Sequence, residues 1–344
     1  MPNLEQKIKN KAYELGYENC GIVPLEKLDG YGQKILERIQ KVPESETFYK
    51  RQYRLIDPQE SFPWAQSIII VIERNGRYRI PDELKGRIGK HYLFDTRIGE
   101  NTNEFQAGTE MENHMQALGL RFAGDRKFGL AGLRWAAMKA GLGIIRKNNF
   151  FYTKSGSWGT LQGWLIDQTL ELTDTIDLPQ CPDNCNRCIK ACPSGSLLAP
   201  YTMSPAECIS YLTTFGGRNL PVEPLRKTFG QCLYGCDICQ EACPMNKGKW
   251  KETEDFPGVS DLAPSLTPEK IMEMDEAFYK QNIQPKFFYL NEEELWKWQV
   301  NALCFMQNNY QEKYKPYIIA ACKSKNTKVG ELARLIYNEL HFDG

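Results

Sequence analysis

The sequence predicts an α+β protein: an α/β domain is followed by a cysteine-rich segment and then by a helical tail. Three observations predict this order. A β-branched run at residues 67–72 lies among stretches whose apolar residues have helical spacing. Nine of the twelve cysteines fall within residues 177–250. Apolar residues then recur with helical spacing from residue 291 to residue 340.

The first domain is predicted over residues 1–176. Helices are predicted at residues 4–16, 31–42, 103–119 and 130–140, and strands at residues 20–23 and 67–72. The second strand is a continuous apolar run, which indicates a strand buried on both faces. Residues 164–172 fit either a strand or a short helix.

The remaining chain divides into a cysteine-rich domain at residues 177–250 and a C-terminal region at residues 251–344. Four prolines between residues 251 and 285 predict a linker at the start of the C-terminal region. Two or three short helices are predicted after it.

Charge and segment composition bound the functional class. Lys+Arg and Asp+Glu both number 43, so no overall attraction to nucleic acid or to an anionic membrane is expected. The first residues lack an apolar signal-peptide core, and no apolar run is long enough to span a bilayer. We therefore expect a cytoplasmic protein with no membrane partner. Because the cytosol keeps thiols reduced, its cysteines are better candidates for metal ligation than for disulfides.

The cysteines form an internal repeat with the pattern C-x3-C-x2-C-x3-C-P in both arms. The first arm holds Cys181, Cys185, Cys188, Cys192 and Pro193, and the second holds Cys232, Cys236, Cys239, Cys243 and Pro244. Apart from its first step, this spacing is that of bacterial ferredoxins, in which the fourth cysteine of each arm ligates the other cluster. A zinc ribbon would have neither the fourth cysteine nor the proline. The repeat therefore predicts two [4Fe–4S] clusters.

Nine cysteines compete for the ligand places of these clusters. Cluster A is predicted to use Cys181, Cys185, Cys188 and Cys243. Cluster B is predicted to use Cys192, Cys236, Cys239 and either Cys208 or Cys232. The repeat by itself favours Cys232. The other three, Cys20, Cys304 and Cys322, lie in apolar contexts that favour small buried side chains.

Several motifs resemble those of epoxyqueuosine reductases, which are cobalamin-dependent relatives of the reductive dehalogenases. They are C-I-S-Y-L-T at residues 208–213, Y-G-C-D-I-C-Q-E-A-C-P-M-N at 234–246 and A-G-L-G-I-I-R-K-N at 140–148. The resemblance implies a corrinoid-binding first domain, HEAT-like helices at the C-terminus and Cys208 as the eighth cluster ligand. Where the family has its next glycine in the third motif, this chain has Arg146.

The resemblance also implies catalytic and cofactor-binding residues. The family has a proton-donating aspartate upstream of A-G-L-G, and counting back without gaps reaches Lys127, two residues after Asp125. Tyr92 and Asp95 complete the candidate proton donors, and His91 is expected on the surface. The candidate corrinoid-binding residues are Gly141, Gly143, Lys147, Asn148 and Ser157.

Together these features predict a cobalamin-dependent reductase that receives electrons through two [4Fe–4S] clusters from reduced ferredoxin or a flavodoxin-type donor. We expect a small-molecule substrate of unknown identity and no nucleic acid, because residues 286–344 contain eight basic and seven acidic residues. We also expect no histidine ligand to cobalt. A non-catalytic electron carrier and epoxyqueuosine reduction in tRNA are the alternatives.

Overall fold

The structure is a computed structural model that describes residues 2–215, 221 and 223–342. Its α-helices are α1 Leu4–Glu14, α2 Tyr31–Lys41, α3 Glu46–Lys50, α4 Lys90–Leu93, α5 Asn103–Ala117, α6 Leu133–Lys139, α7 Arg187–Ala191, α8 Ile209–Thr214, α9 Ile238–Glu241, α10 Val259–Leu262, α11 Pro268–Glu273, α12 Glu276–Phe278, α13 Leu295–Asn308, α14 Lys315–Ala321 and α15 Thr327–Glu339. Its strands are β1 Asn19–Pro24, β2 Ser67–Arg74, β3 Phe122–Gly124, β4 Ile144–Ile145, β5 Phe151–Tyr152, β6 Gly159–Ile166, β7 Leu197–Ala199 and β8 Thr202–Met203. None of the helices in the described ranges is long and apolar enough to cross a bilayer.

The main sheet has four antiparallel strands in the order β1-β2-β6-β3. Ile69 in the centre of β2 lies opposite Ile22 on one side and Trp164 on the other. Every residue of β2 except Arg74 is buried, as the unbroken apolar run predicts. Of the ambiguous segment at residues 164–172, the first three residues are the end of a strand, because β6 begins at Gly159 and ends at Ile166; the rest follows the strand as loop.

Both faces of this sheet are covered, and the two cores follow the alternation of side chains along β2. Ile68, Ile70 and Ile72 face a core that includes α6. Ile69 and Val71 face the other core, which α1 and α5 cover. A strand between two helical layers needs apolar side chains in both directions, so β2 shows no polar alternation.

The third and largest core joins parts of the chain that the sequence assigned to separate domains. Tyr78, Ile88 and Phe94 from the first part pack with the C-terminal helices α11 and α13–α15. The segment 251–285, predicted as a linker, also belongs to this core and contains α10–α12. Its Pro268 is the first residue of α11, where a missing N–H costs nothing, so this proline starts a helix.

Candidate iron–sulfur centre and adjacent cavity

The two cysteine arms form similar turns that face each other. Cys188 lies on α7, and Cys192 follows that helix in an extended conformation with φ −68° and ψ 110°. Cys239 lies on α9, and Cys243 follows with φ −79° and ψ 120°. The two helices pack together. Each arm therefore places one thiol on a short helix and the next beyond its end, before a proline that cannot continue the helix.

One group of thiols surrounds Cys188. Burial raises the pKa of the Cys188 thiol, and the neighbouring thiols of Cys243 and Cys181 raise it further. Thiols that disfavour one another's ionisation in this way become thiolates when cations are bound between them. In the described ranges no three His, Cys, Asp or Glu side chains could hold one metal ion. A polynuclear cluster places its thiolates on different irons, so its ligands need not converge on one point.

A second group lies around Cys236 and Cys239. Burial raises the pKa of Cys208, and Cys236 and Cys192 add to this effect. Burial also raises the pKa of Cys239, with contributions from Cys236, Cys208 and Cys192. Cys232 lies close enough to Cys236 to raise the pKa of that thiol, but it lies in the C-terminal core with 4% of its surface exposed. Cys208 and Cys232, the two candidates for the last ligand place, both lie near Cys236. Of the two, Cys208 also contributes to the raised pKa of Cys239.

Two of the residues predicted to bind the corrinoid hold the cysteine arms instead. The Lys147 ammonium donates hydrogen bonds to three carbonyl oxygens within residues 182–185, at 2.6, 3.0 and 3.1 Å. The Asn148 amide donates to the Cys239 carbonyl at 3.3 Å. Both side chains are buried. They connect the turn before β5 to the first and second arms, respectively.

The two predicted corrinoid-binding glycines are required by the packing of their own backbone. Gly141 has φ +72° and closes α6 with the paired hydrogen bonds of a Schellman motif. A Cβ atom at Gly141 would lie 1.7 Å from the Asp174 carbonyl oxygen. At Gly143 it would lie 2.2 Å from the carbonyl oxygen of Tyr152. At both positions the absence of a side chain makes room for neighbouring backbone. The prediction that it makes room for a macrocycle therefore has no support at Gly141 or Gly143.

A cavity of about 1040 Å³ lies beside the cysteine arms. Among the residues that the structure describes, its wall contains a single acidic residue, Glu37, and nine basic residues, namely Lys34, Arg38, Lys41, Arg51, Arg54, Lys90, Arg97, Lys127 and Arg134. Three of the nine pair with carboxylates. The other six have no ion-pair partner in the part of the chain that the structure describes. We call this the basic cavity, and its charge gives it a positive potential that attracts anions.

The basic cavity reaches the second group of cysteines. Gln240, which follows Cys239 on α9, lines the cavity, as does Tyr211 three residues after Cys208. Ser157 also lines it and donates a hydrogen bond to the Gln240 side-chain oxygen at 2.7 Å. Of the five residues predicted to bind the corrinoid, Ser157 is therefore the one in the cavity wall.

Asp95 lies behind the wall and is held as a carboxylate. The Arg97 guanidinium donates to its two oxygens at 2.8 and 2.6 Å. Burial works to raise the pKa of Asp95, but the charge and hydrogen bonds of Arg97 outweigh it, and the pKa is lowered. A carboxyl group with a lowered pKa is a poor proton donor at neutral pH. The prediction that Asp95 gives the proton is therefore not supported by its position or by its pKa.

His91 lines the basic cavity, whereas we expected it on the surface. Burial and the Arg97 charge lower its pKa to about 4, so its imidazole is neutral at pH 7. Its Nε2 atom lies 3.2 Å from Arg97. Because a guanidinium can only donate, Nε2 must accept this hydrogen bond and the ring proton must sit on Nδ1.

Tyr92, like Asp95, lies outside the cavity wall. Its hydroxyl is 3.0 Å from the Ser210 hydroxyl. Its ring packs edge-to-face against Tyr234 and Tyr289. Burial raises the pKa of the phenol. The side chain supports the segment after Cys208 and is not among the residues that line the cavity.

The loop at residues 125–129 brings one candidate proton donor to the cavity. The Asp125 carboxylate accepts hydrogen bonds from the backbone N–H groups of Lys127 at 2.9 Å and Phe128 at 3.1 Å, so it shapes the turn. Lys127 lines the cavity, with its ammonium 5.0 Å from the centre of the Phe288 ring. Of the four predicted catalytic residues, Lys127 is the one in the wall.

Two arginines of the wall were missed because they belong to no motif. Arg38 on α2 and Arg134 on α6 both donate to Asn149, at 3.4 Å to its side-chain oxygen and 2.5 Å to its carbonyl oxygen. Burial, and then the charge of Arg38, lowers the pKa of Arg134. Arg38 and Arg134 are 96 residues apart in the sequence, so no local pattern predicts that they lie together. The net charge of the whole chain is zero and gives no indication of a local cluster of positive charge.

Comparison with known proteins supports this centre. Residues 180–246 match the family model described as a 4Fe–4S double cluster binding domain. The epoxyqueuosine reductase of Staphylococcus aureus is 29% identical over 295 residues, covering 81% of this chain and 73% of that protein. That of Cyclobacterium marinum is 27% identical over 288 residues, covering 80% of this chain and 90% of that protein.

Solved structures show the same fold. The epoxyqueuosine reductase of Streptococcus thermophilus has a TM-score of 0.79 at 22% identity, covering 98% of this chain and 90% of that chain. An epoxyqueuosine reductase with an epoxyqueuosine-modified tRNA-Tyr stem loop has a TM-score of 0.75 at 18% identity, with the same coverage. A Bacillus subtilis enzyme, whose catalytic aspartate loop is swung out of the active site, has a TM-score of 0.74 at 19% identity, again with that coverage.

These comparisons confirm the resemblance to epoxyqueuosine reductases, the mixed α/β fold, the double-cluster domain and the prediction of an iron–sulfur oxidoreductase. They overturn two expectations. A reductase with an unknown substrate is the wrong description, because the relatives share one named substrate and the tRNA alternative fits them better. A small-molecule substrate without nucleic acid is also wrong, because one enzyme of this fold is bound to a tRNA stem loop.

Proposed function

We propose that this chain reduces epoxyqueuosine in tRNA. The observation that carries the proposal is the basic cavity, where six cations without ion-pair partners in the described part of the chain lie beside a double-cluster centre. Nucleic acid presents one phosphate charge per nucleotide, and unpaired Lys and Arg side chains are what binds that backbone. The named activity of the relatives supplies the reaction.

Reduction of an epoxide takes up two electrons and two protons, and a [4Fe–4S] cluster passes one electron at a time. We assign Cys181, Cys185, Cys188 and Cys243 to cluster A, and Cys192, Cys208, Cys236 and Cys239 to cluster B. The thiol groups around Cys188 and around Cys239 support this division. Cluster B borders the cavity through Gln240, so we assign it the transfer to the substrate and assign cluster A the supply of cluster B.

We assign Lys127 as a proton donor in the cavity. It stands where the resemblance places the catalytic aspartate, and its side chain lines the wall. Asp95 and Tyr92 are less suitable, because both lie outside the wall and their pKa values are lowered and raised, respectively. The Lys127 carbonyl accepts a hydrogen bond from Arg97 at 2.7 Å, which positions the loop that carries the ammonium.

A corrinoid is a separate proposal about the same cavity. About 1040 Å³ lies at the upper end of the volumes of ordinary ligand pockets, and the aromatic rings of Phe151 and Trp158 in its wall suit a flat macrocycle. When bound, it would supply a cobalt centre that accepts electrons from cluster B. His91 Nε2 already accepts a hydrogen bond from Arg97, which agrees with our prediction of no histidine ligand. Corrinoid absorbance retained after gel filtration of cobalamin-treated protein tests this; its absence refutes it.

The tRNA proposal is tested by the salt dependence of binding. Arg38→Gln removes one unpaired cation from the wall, whereas Arg79→Gln removes an exposed cation that pairs with Asp255 at 3.0 Å outside the cavity. We expect the unmodified protein to bind epoxyqueuosine-modified tRNA with an affinity that falls steeply with salt. Arg38→Gln should weaken binding and reduce the salt slope by about 1, and Arg79→Gln should change neither.

Turnover is measured on the same tRNA by mass spectrometry of its nucleosides under anaerobic reducing conditions. Reduced product from the unmodified protein supports the proposal. Binding without salt dependence, or no reduced product from protein with both clusters, contradicts it.

A further inference from the structure

Arg146 is a buried cation beside a predicted ligand of cluster A. Its side chain is 3% exposed, and no carboxylate pairs with it in residues 2–215, 221 and 223–342. One terminal nitrogen, Nη1, lies 3.7 Å from Cys181 Sγ. The other, Nη2, donates to the Pro179 carbonyl oxygen at 2.8 Å. The guanidinium is thus aimed at the start of the first cysteine arm.

The backbone and the neighbouring ring hold the guanidinium in this position. The Arg146 N–H donates to the Phe150 carbonyl at 3.0 Å, and its carbonyl accepts from the Asn149 N–H at 2.8 Å. The guanidinium carbon lies 5.1 Å from the centre of the Tyr152 ring. The Nε atom is buried without a hydrogen-bond partner. A buried cation left in this state is costly unless a negative group compensates it.

A [4Fe–4S] cluster held by Cys181 would supply that negative group. Cys181 is a thiolate when it ligates iron, and each electron added to the cluster makes the cluster and its thiolates more negative. A fixed cation and a hydrogen bond to a ligand sulfur stabilise the reduced state more than the oxidised state. Both effects raise the reduction potential, as hydrogen bonding to cluster sulfurs does in general.

We propose that Arg146 raises the reduction potential of cluster A by donating a hydrogen bond to the Cys181 thiolate. Arg146 does not line the basic cavity, so its proposed role is to place a positive charge beside the cluster. The step it influences is the uptake of one electron by the oxidised cluster, with no bond made or broken and no proton moved. The inference rests on the proposed ligation of cluster A by Cys181.

The test is a redox titration of the clusters, with dithionite as reductant and electron paramagnetic resonance as the readout. Arg146→Met keeps an unbranched side chain but removes the guanidinium and its charge, and Arg146→Lys keeps the charge without the second donor arm. Lys190→Met is the matched control, because Lys190 lies on α7 between Cys188 and Cys192 but is exposed and therefore screened.

We expect Arg146→Met to lower the equilibrium constant for reduction of cluster A about tenfold, which is about 59 mV for one electron. Arg146→Lys should give a smaller decrease. Cluster B in each variant, and both clusters in Lys190→Met, should keep their potentials.

Iron content separates this inference from the ligation on which it rests. Full iron with an unchanged cluster A potential in Arg146→Met would overturn the role of Arg146, as would an equal shift of both clusters. Loss of cluster A iron from both arginine variants would also overturn it, since the arginine would then only hold the loop. If Cys181→Ala retains cluster A, the proposed ligation fails and this inference fails with it.

Discussion

Replacing Lys147 by Met should release cluster A from an otherwise folded protein. The ammonium donates to three carbonyl oxygens within residues 182–185 at 2.6, 3.0 and 3.1 Å, and this segment ends at Cys185. Hydrogen bonds from a charged group contribute about 1.5–3 kcal/mol each, but the three share one donor and are not additive. Residues 182–184 are exposed and can be partly rehydrated, so we expect a net loss of about 3 kcal/mol, near two such bonds.

That loss is a large part of the stability of an ordinary domain, about 5–15 kcal/mol, and it falls on the loop that carries two ligands of cluster A. The assay is iron and acid-labile sulfide in anaerobically purified protein, together with the resonance spectrum of each reduced cluster. Lys147→Met should retain about half of the roughly eight irons of two [4Fe–4S] clusters. Lys154→Met, which removes an exposed lysine after β5, should retain all of them. Full iron and an unchanged urea midpoint in Lys147→Met would refute the argument.

Three further predictions concern the ligand set, the proton donor and a buried acid. Cys208→Ala should lose cluster B while Cys232→Ala keeps both clusters; the reverse result in resonance spectra would make the internal repeat the better guide. Lys127→Met should weaken tRNA binding about as much as Arg38→Gln does, but at saturating tRNA it alone should lose most single-turnover reduction; unchanged turnover would exclude Lys127 as the donor. Burial raises the pKa of Glu73 from 4.5 to about 8, so the native state holds a proton that the unfolded chain releases. Between those pH values the stability contributed by neutral Glu73 declines as pH rises, by up to about 1.4 kcal/mol per pH unit. The urea midpoint of Glu73→Gln, relative to that of the unmodified protein, should therefore rise from pH 5 to pH 8. A difference between the two midpoints that does not change with pH would contradict this.

The local elements were predictable because their signals are periodic and short-range. The alternation at Ile68 and Ile69 required a strand covered on both sides, and the structure places helices on both faces. The cysteine spacing required two facing turns, and the structure supplies them in α7 and α9. The prediction of a linker at residues 251–285 was wrong because proline is common both in linkers and at the first position of helices. Here the segment packs in the same core as Tyr78 and Phe94, which identifies it as part of the folded domain.

Sequence by itself determined the cluster chemistry, the strand between two layers and the resemblance to a reductase, since each depends on residues close together in the chain. Tertiary structure decided the charge of the cavity. Arg38, Arg134 and Lys127 lie on separate elements, and only folding brings their charges to one wall. The tertiary structure also decided that Lys147 donates hydrogen bonds to the cysteine loop and that Arg146 lies beside Cys181. These contacts join residues that are far apart in the sequence, so they depend on how the backbone folds. Electrostatic fields add over space, so a chain of zero net charge can still form a strongly basic cavity.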